Sequence, residues 1–272
     1  MKPDSSPAPP EAIEPEIRKR IASALRAIER QQDVWILLAV ESGSRAWGFP
    51  SPDSDYDVRF LYARKPEWYL SIDPRRDVIE RPLDGSLDVN GWDIKKALQL
   101  LLKGNAVLVE WLNSPIRYRE EAEAVSRLAE LAARVAFHRP FGHHYLHLGA
   151  SSYRRWIAER DAVSLKKYFY SLRPAIALHW LRTRSDPPPM DLPSLRSGLK
   201  LPGELSAAIE DLITRKAARS EIGSGPRIGV LDRFIEAELA VEPGTLGSDR
   251  SVPDNTGTLR AANRLFHDLV TS

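Results

Sequence analysis

The 272-residue sequence contains no cysteine, which excludes disulfides, thiolate metal sites and cysteine nucleophiles. It also lacks any apolar run near the ~20 residues needed to cross a bilayer, so no membrane span is expected. No apolar h-region follows Met1, and a cytoplasmic protein is the expectation. Strong charge of one sign is missing too. Lys and Arg number 39 against 37 Asp and Glu, a formal net charge of +2, too small to bias the whole chain towards polyanions. The charges are uneven, however. Residues 141–230 hold fourteen Lys or Arg against eight Asp or Glu, a local excess that suits either a phosphate backbone or a solvated helical surface paired along i,i+4 spacings. There is no internal repeat. With 43% apolar and 28% charged residues, the chain can bury a sizeable core, and its length favours two lobes.

"MKPDSSPAPPE" is too rich in proline and small polar residues to order itself, so residues 1–11 read as a flexible leader. Ile17, Ile21, Leu25 and Ile28 then recur at helical spacing in "IEPEIRKRIASALRAIERQQ", one amphipathic helix that closes before Asp33. "VWILLAV" is a continuous apolar run of strand length, as expected of a strand buried on both faces. It ends at Gly43-Ser44. "DYDVRFLYA" is a second strand with Asp55 and Asp57 at its start. "DVIERPL" and "SLDVNGW" form a hairpin across Asp84-Gly85. "DIKKALQLLLKG" is a helix capped by Asp93 and ended by Gly104. From there the patterns are almost all helical, broken by "SDPPPMDLP", "EIGSGPRIG" and a Gly, Asp and Pro-rich stretch from Glu242 to about Gly257. The expected division is an α/β lobe over residues 12–116 and a helical lobe over 117–272.

Asp55 and Asp57 share one face of their strand, where two carboxylates repel unless a cation compensates them. Hard oxygen ligands of this kind suit Mg²⁺ or Mn²⁺, and a pair of such ions serves phosphoryl transfer. An Asp-x-Asp alone is more often a capped loop end or a solvated turn. Gly43-Ser44 adds to it, because a tight turn at a strand end offers bare N–H groups and a hydroxyl to phosphate oxygens. A third carboxylate is normally wanted. Asp88, set among apolar neighbours on the third strand, is the candidate. Asp93 competes, but the helix cap explains it, and Asp53 shapes the turn after Pro52.

An apolar strand, Gly-Ser, about ten residues, Asp-x-Asp and a later Asp on a strand resemble the DNA polymerase β-like nucleotidyltransferase superfamily. "SGSRAWGFPSPDSDYDVRF", "GWDIKKALQLLLKGNAVLVEWLNSPI" and "LKKYFYSLRP" are similar to its branch of predicted nucleotidyltransferases associated with RNA repair and RNA ligases. The resemblance spans residues ~35–240. It implies an α+β fold, with the mixed sheet of that superfamily and flanking helices followed by a mainly helical C-terminal domain. It further implies two divalent ions (Mg²⁺ or Mn²⁺), an NTP co-substrate held at Gly43 and Ser44, and metal at Asp55, Asp57 and Asp88. The expected activity moves NMP from NTP to a hydroxyl, an RNA end or a protein side chain, and releases pyrophosphate. An RNA ligase of the same pathway is the expected partner. The rival expectation is a binding module that senses nucleotide or RNA without turnover.

In "SLKKYFYSLRPAIALHWL", Leu165, Phe169, Leu172 and Ile176 form an apolar helical stripe that packs. Beside it Lys166, Tyr170 and Arg173 read either as a solvated rim or as nucleotide contacts, and the resemblance favours the second. Pro174 is expected to bend or end this helix and so aim Arg173 at the cleft. His143, His144 and His147 sit at helical spacing without a third ligand or a catalytic glutamate, so packing is expected of them. Asn105, Glu110 and Asn113 read as helix caps and hydrogen-bonding groups, and Trp47 and Trp111 as core.

Overall fold

The computed structural model describes residues 13–135, 138–218, 223–242 and 255–271. The leader expected over residues 1–11 lies outside them, as does most of the 242–257 stretch. Among the described residues the chain forms two compact units, one of residues 13–46, 55–135 and 255–271, the other of 47–54, 138–218 and 223–242.

The first unit is built on a mixed sheet. Helix α1 (Pro15–Gln32) buries Ile21, Leu25 and Ile28 and closes at Asp33 in a left-handed conformation. Then follow β1 (Trp35–Glu41), β2 (Tyr56–Ala63), the single-turn α2 (Pro66–Tyr69), β3 (Val78–Glu80) and β4 (Leu87–Asp93). After them come α3 (Ile94–Leu102), α4 (Ala106–Leu112), β5 (Arg117–Glu120) and α5 (Ala122–Ala132). The strand order is β3-β4-β2-β1-β5. β2 runs parallel to β4, and the other neighbours pair antiparallel. β1 and β2 are central, and β1 accordingly reads as an unbroken apolar run up to Glu41. The β3–β4 hairpin turns at Asp84-Gly85 as expected, with Gly85 at φ +63°, a region that side chains with a Cβ seldom enter.

Side-chain alternation divides the sheet. Val58, Phe60 and Tyr62 of β2, with Leu87 and Val89 of β4, pack under α1. Leu61 and Ala63 face the other way, onto α3, α4, α5 and the C-terminal α11 (Asn255–Thr271). That second face therefore also receives Asp57, Arg59, Asp88 and Asn90.

β5 was not expected from the sequence. Three of its four residues, "RYRE", are charged and the strand is half exposed, as suits an edge strand that must resist further pairing, and it carries no periodicity to read. The expected division at residue 116 falls just before it. β5 pairs with β1 and α5 packs in the same core, so this unit continues through residue 135 and takes in α11 as well.

The second unit is mainly helical. It contains α6 (His138–Trp156), β6 (Ala162–Ser164), α7 (Leu165–Thr183), α8 (Leu192–Ser197), α9 (Gly203–Ala217), β7 (Ser224–Pro226) and α10 (Gly229–Leu239). β6 and β7 form a small antiparallel ribbon. The expected stripe of Leu165, Phe169, Leu172 and Ile176 is buried against residues of α6, α8, α9 and α10. Pro174 does not end α7, which runs nine residues beyond it to Thr183. A proline inside a helix costs about 3 kcal/mol. Here the neighbours from Ser171 to Leu178 are all buried, and each large apolar side chain among them contributes about 1.5–3 kcal/mol, so packing outweighs the break.

Candidate functional site

β1 delivers the first elements of the site. Its last residue, Glu41, is fully buried. Glu41 Oε1 accepts from the Asp57 backbone N–H at 2.8 Å, and Oε2 accepts from the Tyr118 hydroxyl of β5. Burial pushes its carboxyl up to about 7, opposed by those two hydrogen bonds. Sequence reasoning missed Glu41. The signal was an acid ending an otherwise apolar strand, a position where an unpartnered carboxylate is costly.

Past Glu41 the chain turns at Ser42, whose N–H donates to the Asp57 carbonyl at 2.8 Å. Gly43 lies directly against the Asp57 side chain, and a Cβ there would stand 2.0 Å from Asp57 Oδ2. The glycine is thus required by close approach, and the two halves of the motif touch. Arg45 places its guanidinium 4.0 Å from the Tyr56 ring centroid.

Asp57 and Asp88 are directly opposite each other on parallel β2 and β4. Arg59 joins them, donating from one nitrogen to Asp57 Oδ1 at 3.2 Å and Asp88 Oδ2 at 2.7 Å, and from the other to the Asp88 carbonyl at 3.2 Å. Asn90 Nδ2 donates to Asp88 Oδ1 at 2.7 Å. Burial holds the Asp57 carboxyl above the usual range; Arg59 opposes this, while Asp88 and Asp55 reinforce it. Asp55 precedes β2 and is exposed. The three acids are therefore within electrostatic reach, with a guanidinium balancing two of them. Among the described residues, no three His, Cys, Asp or Glu side chains converge closely enough to hold a metal ion. Asp93 lies five residues further along β4, about 17 Å away by strand rise. It caps α3 by accepting from Lys95 N–H at 2.8 Å and takes a second bond from Tyr69.

Except for Asn105 and Trp111, which lie in the first unit, the remaining candidates belong to the helical unit. Asp53 occupies a turn closed by Ser54 N–H to Ser51 carbonyl at 2.9 Å. Tyr170 is 37% exposed and meets Trp47 edge-on. Lys166 is partly exposed on the first turn of α7. Arg173 is 3% exposed, donates to the Met190 carbonyl at 2.9 Å and lies over Trp47. His143 and His147 are exposed on α6. Asn105 caps α4 through Leu108 N–H, and Trp111 packs on Trp92.

The family model described as "RNA repair pathway DNA polymerase beta family" (RlaP) matches residues 17–268. Uncharacterized protein YcgL of Bacillus subtilis (strain 168) is 42% identical over 223 residues, which is 82% of this chain and 85% of that protein. The crystal structure of a nucleotidyltransferase-like protein from Exiguobacterium sibiricum 255-15 aligns over 91% of this chain and 75% of its own, at 14% identity and a TM-score of 0.29, a likeness too loose to support an argument. With the family match covering nearly the whole chain, this protein belongs to the RNA repair pathway DNA polymerase beta family, a nucleotidyltransferase branch.

Proposed function

We propose that this protein transfers a nucleoside monophosphate from an NTP to a hydroxyl at an RNA end. The acceptor oxygen forms a bond to the α-phosphorus, the bond from that phosphorus to the bridging oxygen breaks, and pyrophosphate leaves while the hydroxyl proton passes to solvent. The observation that carries this reading is the in-register pair Asp57 and Asp88, with Gly43 packed against Asp57. Two half-buried carboxylates side by side are costly unless they have a cationic task.

Their hard oxygens suit Mg²⁺ or Mn²⁺ in donor chemistry, and Asp55, which does not converge with the pair here, would have to turn inward to serve as the third ligand. Such ions would neutralise charge on the phosphates and activate the acceptor oxygen. Asp57 is oriented from behind by Glu41 and kept close to the Gly43 turn. Arg59 holds Asp57 and Asp88 together and must yield one carboxylate when a ligand cation arrives. The backbone of the Gly43 turn, which lies against Asp57, and Ser44 next along it would receive phosphate oxygens. Catalysis of this type consists mainly of positioning and charge neutralisation.

The test incubates the full chain with Mg²⁺ or Mn²⁺, each α-labelled NTP and pooled RNA, beside Asp57→Asn. Label on RNA with the wild type alone is expected. NTP binding without label transfer or pyrophosphate release would sink the enzyme reading. That outcome belongs to the second reading, a nucleotide- or RNA-binding module, which one observation favours: Arg59 already compensates both carboxylates. Label on protein instead of RNA would reassign the acceptor to a protein hydroxyl.

A further inference from the structure

The segment between α2 and β3, within the first unit, carries the two most exposed large apolar side chains among the described residues, Leu70 at 81% and Ile72 at 101%. A single exposed apolar residue needs no explanation. Ile72, however, borders an open hollow of about 290 Å³ whose lining includes Trp68, Tyr69 and Pro74. A projecting aliphatic knob and a partly aromatic hollow therefore lie next to each other.

The base beneath them is firm. Trp68 carries the guanidinium groups of Arg64 and Arg75 at 3.7 and 4.4 Å from its ring centroid. The Tyr69 hydroxyl accepts from the Arg64 N–H at 3.0 Å and donates to Asp93 Oδ2 at 3.1 Å, and the Asp93 N–H donates to the Asp77 carbonyl at 2.9 Å. Both ends of the segment are tied to the sheet, so little ordering is left to be lost on contact with a partner.

Charge decides the kind of partner. The hollow is lined by four basic residues and three acids, a near balance that offers little attraction to RNA or to an anionic membrane. Some of these charges are already matched within the chain. Lys96 pairs with Asp77 at 3.0 Å, and Arg76 pairs with Glu80. The side chains of Asp73 and Lys95, which line the same hollow, make no ion pair among the described residues, with each other or with any other group. An unpaired acid and an unpaired lysine on one surface are complementary to that same surface turned about a two-fold axis, as the knob is to the hollow.

We propose that residues 70–77 and the start of α3 form an isologous contact between two copies of this chain. Ile72 of each copy enters the hollow of the other beside Trp68, and Asp73 of each faces Lys95 of the other. The contact lies at the Asp93 end of β4, about 17 Å by strand rise from Asp88. It does not depend on the transferase reading.

The test is sedimentation velocity of the full chain between about 1 and 200 µM, comparing wild type, Ile72→Asp, Asp73→Lys, Lys95→Asp and the double variant Asp73→Lys with Lys95→Asp. All three positions are exposed, and melting curves check that each variant is folded. The wild type is expected to dimerise with a dissociation constant of about 1–50 µM, because the apolar contact is small. Ile72→Asp should weaken dimerisation at least about tenfold. Each charge reversal acts at two symmetric places and should weaken it about five- to tenfold, whereas the double reversal restores opposite charges across the axis and should recover the wild-type value to within about twofold. A wild type that stays monomeric to the highest concentration overturns the proposal, even if another protein binds there. A dimer indifferent to Ile72→Asp overturns it too, since the contact would then lie on another surface. A double variant as weak as the single ones overturns the Asp73–Lys95 pairing and with it the two-fold arrangement.

Discussion

A methyl group at position 43 would collide with the carboxylate of Asp57, because the ideal Cβ falls 2.0 Å from Oδ2. Gly43→Ala is therefore expected to displace Asp57, reducing label transfer at least tenfold while costing about 1–3 kcal/mol of stability, the usual range for overpacking. Transfer assays and urea melts measure the two effects, and an alanine variant with normal turnover would refute the coupling of turn and acid. At this scale the sequence was partly legible. Gly43, Asp55, Asp57 and Asp88 stood out from spacing and from their apolar surroundings. Arg59 and Glu41 did not, because their roles depend on partners across the sheet. Arg59 bridges to β4, and Glu41 reaches both β2 and β5. Arg173 shows the reverse difficulty. Its helical spacing suggested an outward cation, yet it is buried against Met190 and Trp47.

At the level of elements, the parallel pairing of β2 with β4 brings Asp88 opposite Asp57 and leaves Asp93 at the far end of the strand. The two acids should then separate cleanly on mutation. Asp93→Ala removes a helix cap and is expected to cost about 1–2 kcal/mol in denaturant melts with transfer retained by the folded protein. Asp88→Asn should abolish transfer with little change in the melt. Loss of transfer in a folded Asp93→Ala protein, with Asp88→Asn active, would reverse the assignment. Long elements with clear periodicity, α1, β1, β2 and α3, agree with their sequence reading to within a residue or two. β5 and the β6–β7 ribbon escaped it. Each is only three or four residues long, and pairing with a distant segment creates the strand rather than local propensity. Of the two outcomes expected of Pro174, a bend or an end, the end does not occur, because local rules count the lost hydrogen bond and not the burial around it.

For the whole molecule, the net charge of +2 gives little attraction to RNA, and the excess of basic residues over 141–230 must supply it. Binding of a single-stranded RNA is accordingly expected to weaken with salt, with a log–log slope of about −2 to −4, corresponding to roughly three to six phosphate contacts. Fluorescence anisotropy between 50 and 300 mM KCl measures it, and a slope near zero would argue against an RNA acceptor. No helix among the described residues is long and apolar enough to span a membrane. The sequence by itself determined the α+β class, the main helices and strands of the first half, and the family-like string with its three aspartates. Those features follow from local periodicity, turn chemistry and residue type. The tertiary structure decided the rest: that Asp57 and Asp88 stand in register, that Gly43 is needed for contact with Asp57, that Glu41 lies buried behind it, and that residues 47–54 pack with the helical unit. Each of these depends on which strands and helices become neighbours, and that is set by burial of the sheet faces and helix stripes against one another, not by any local pattern.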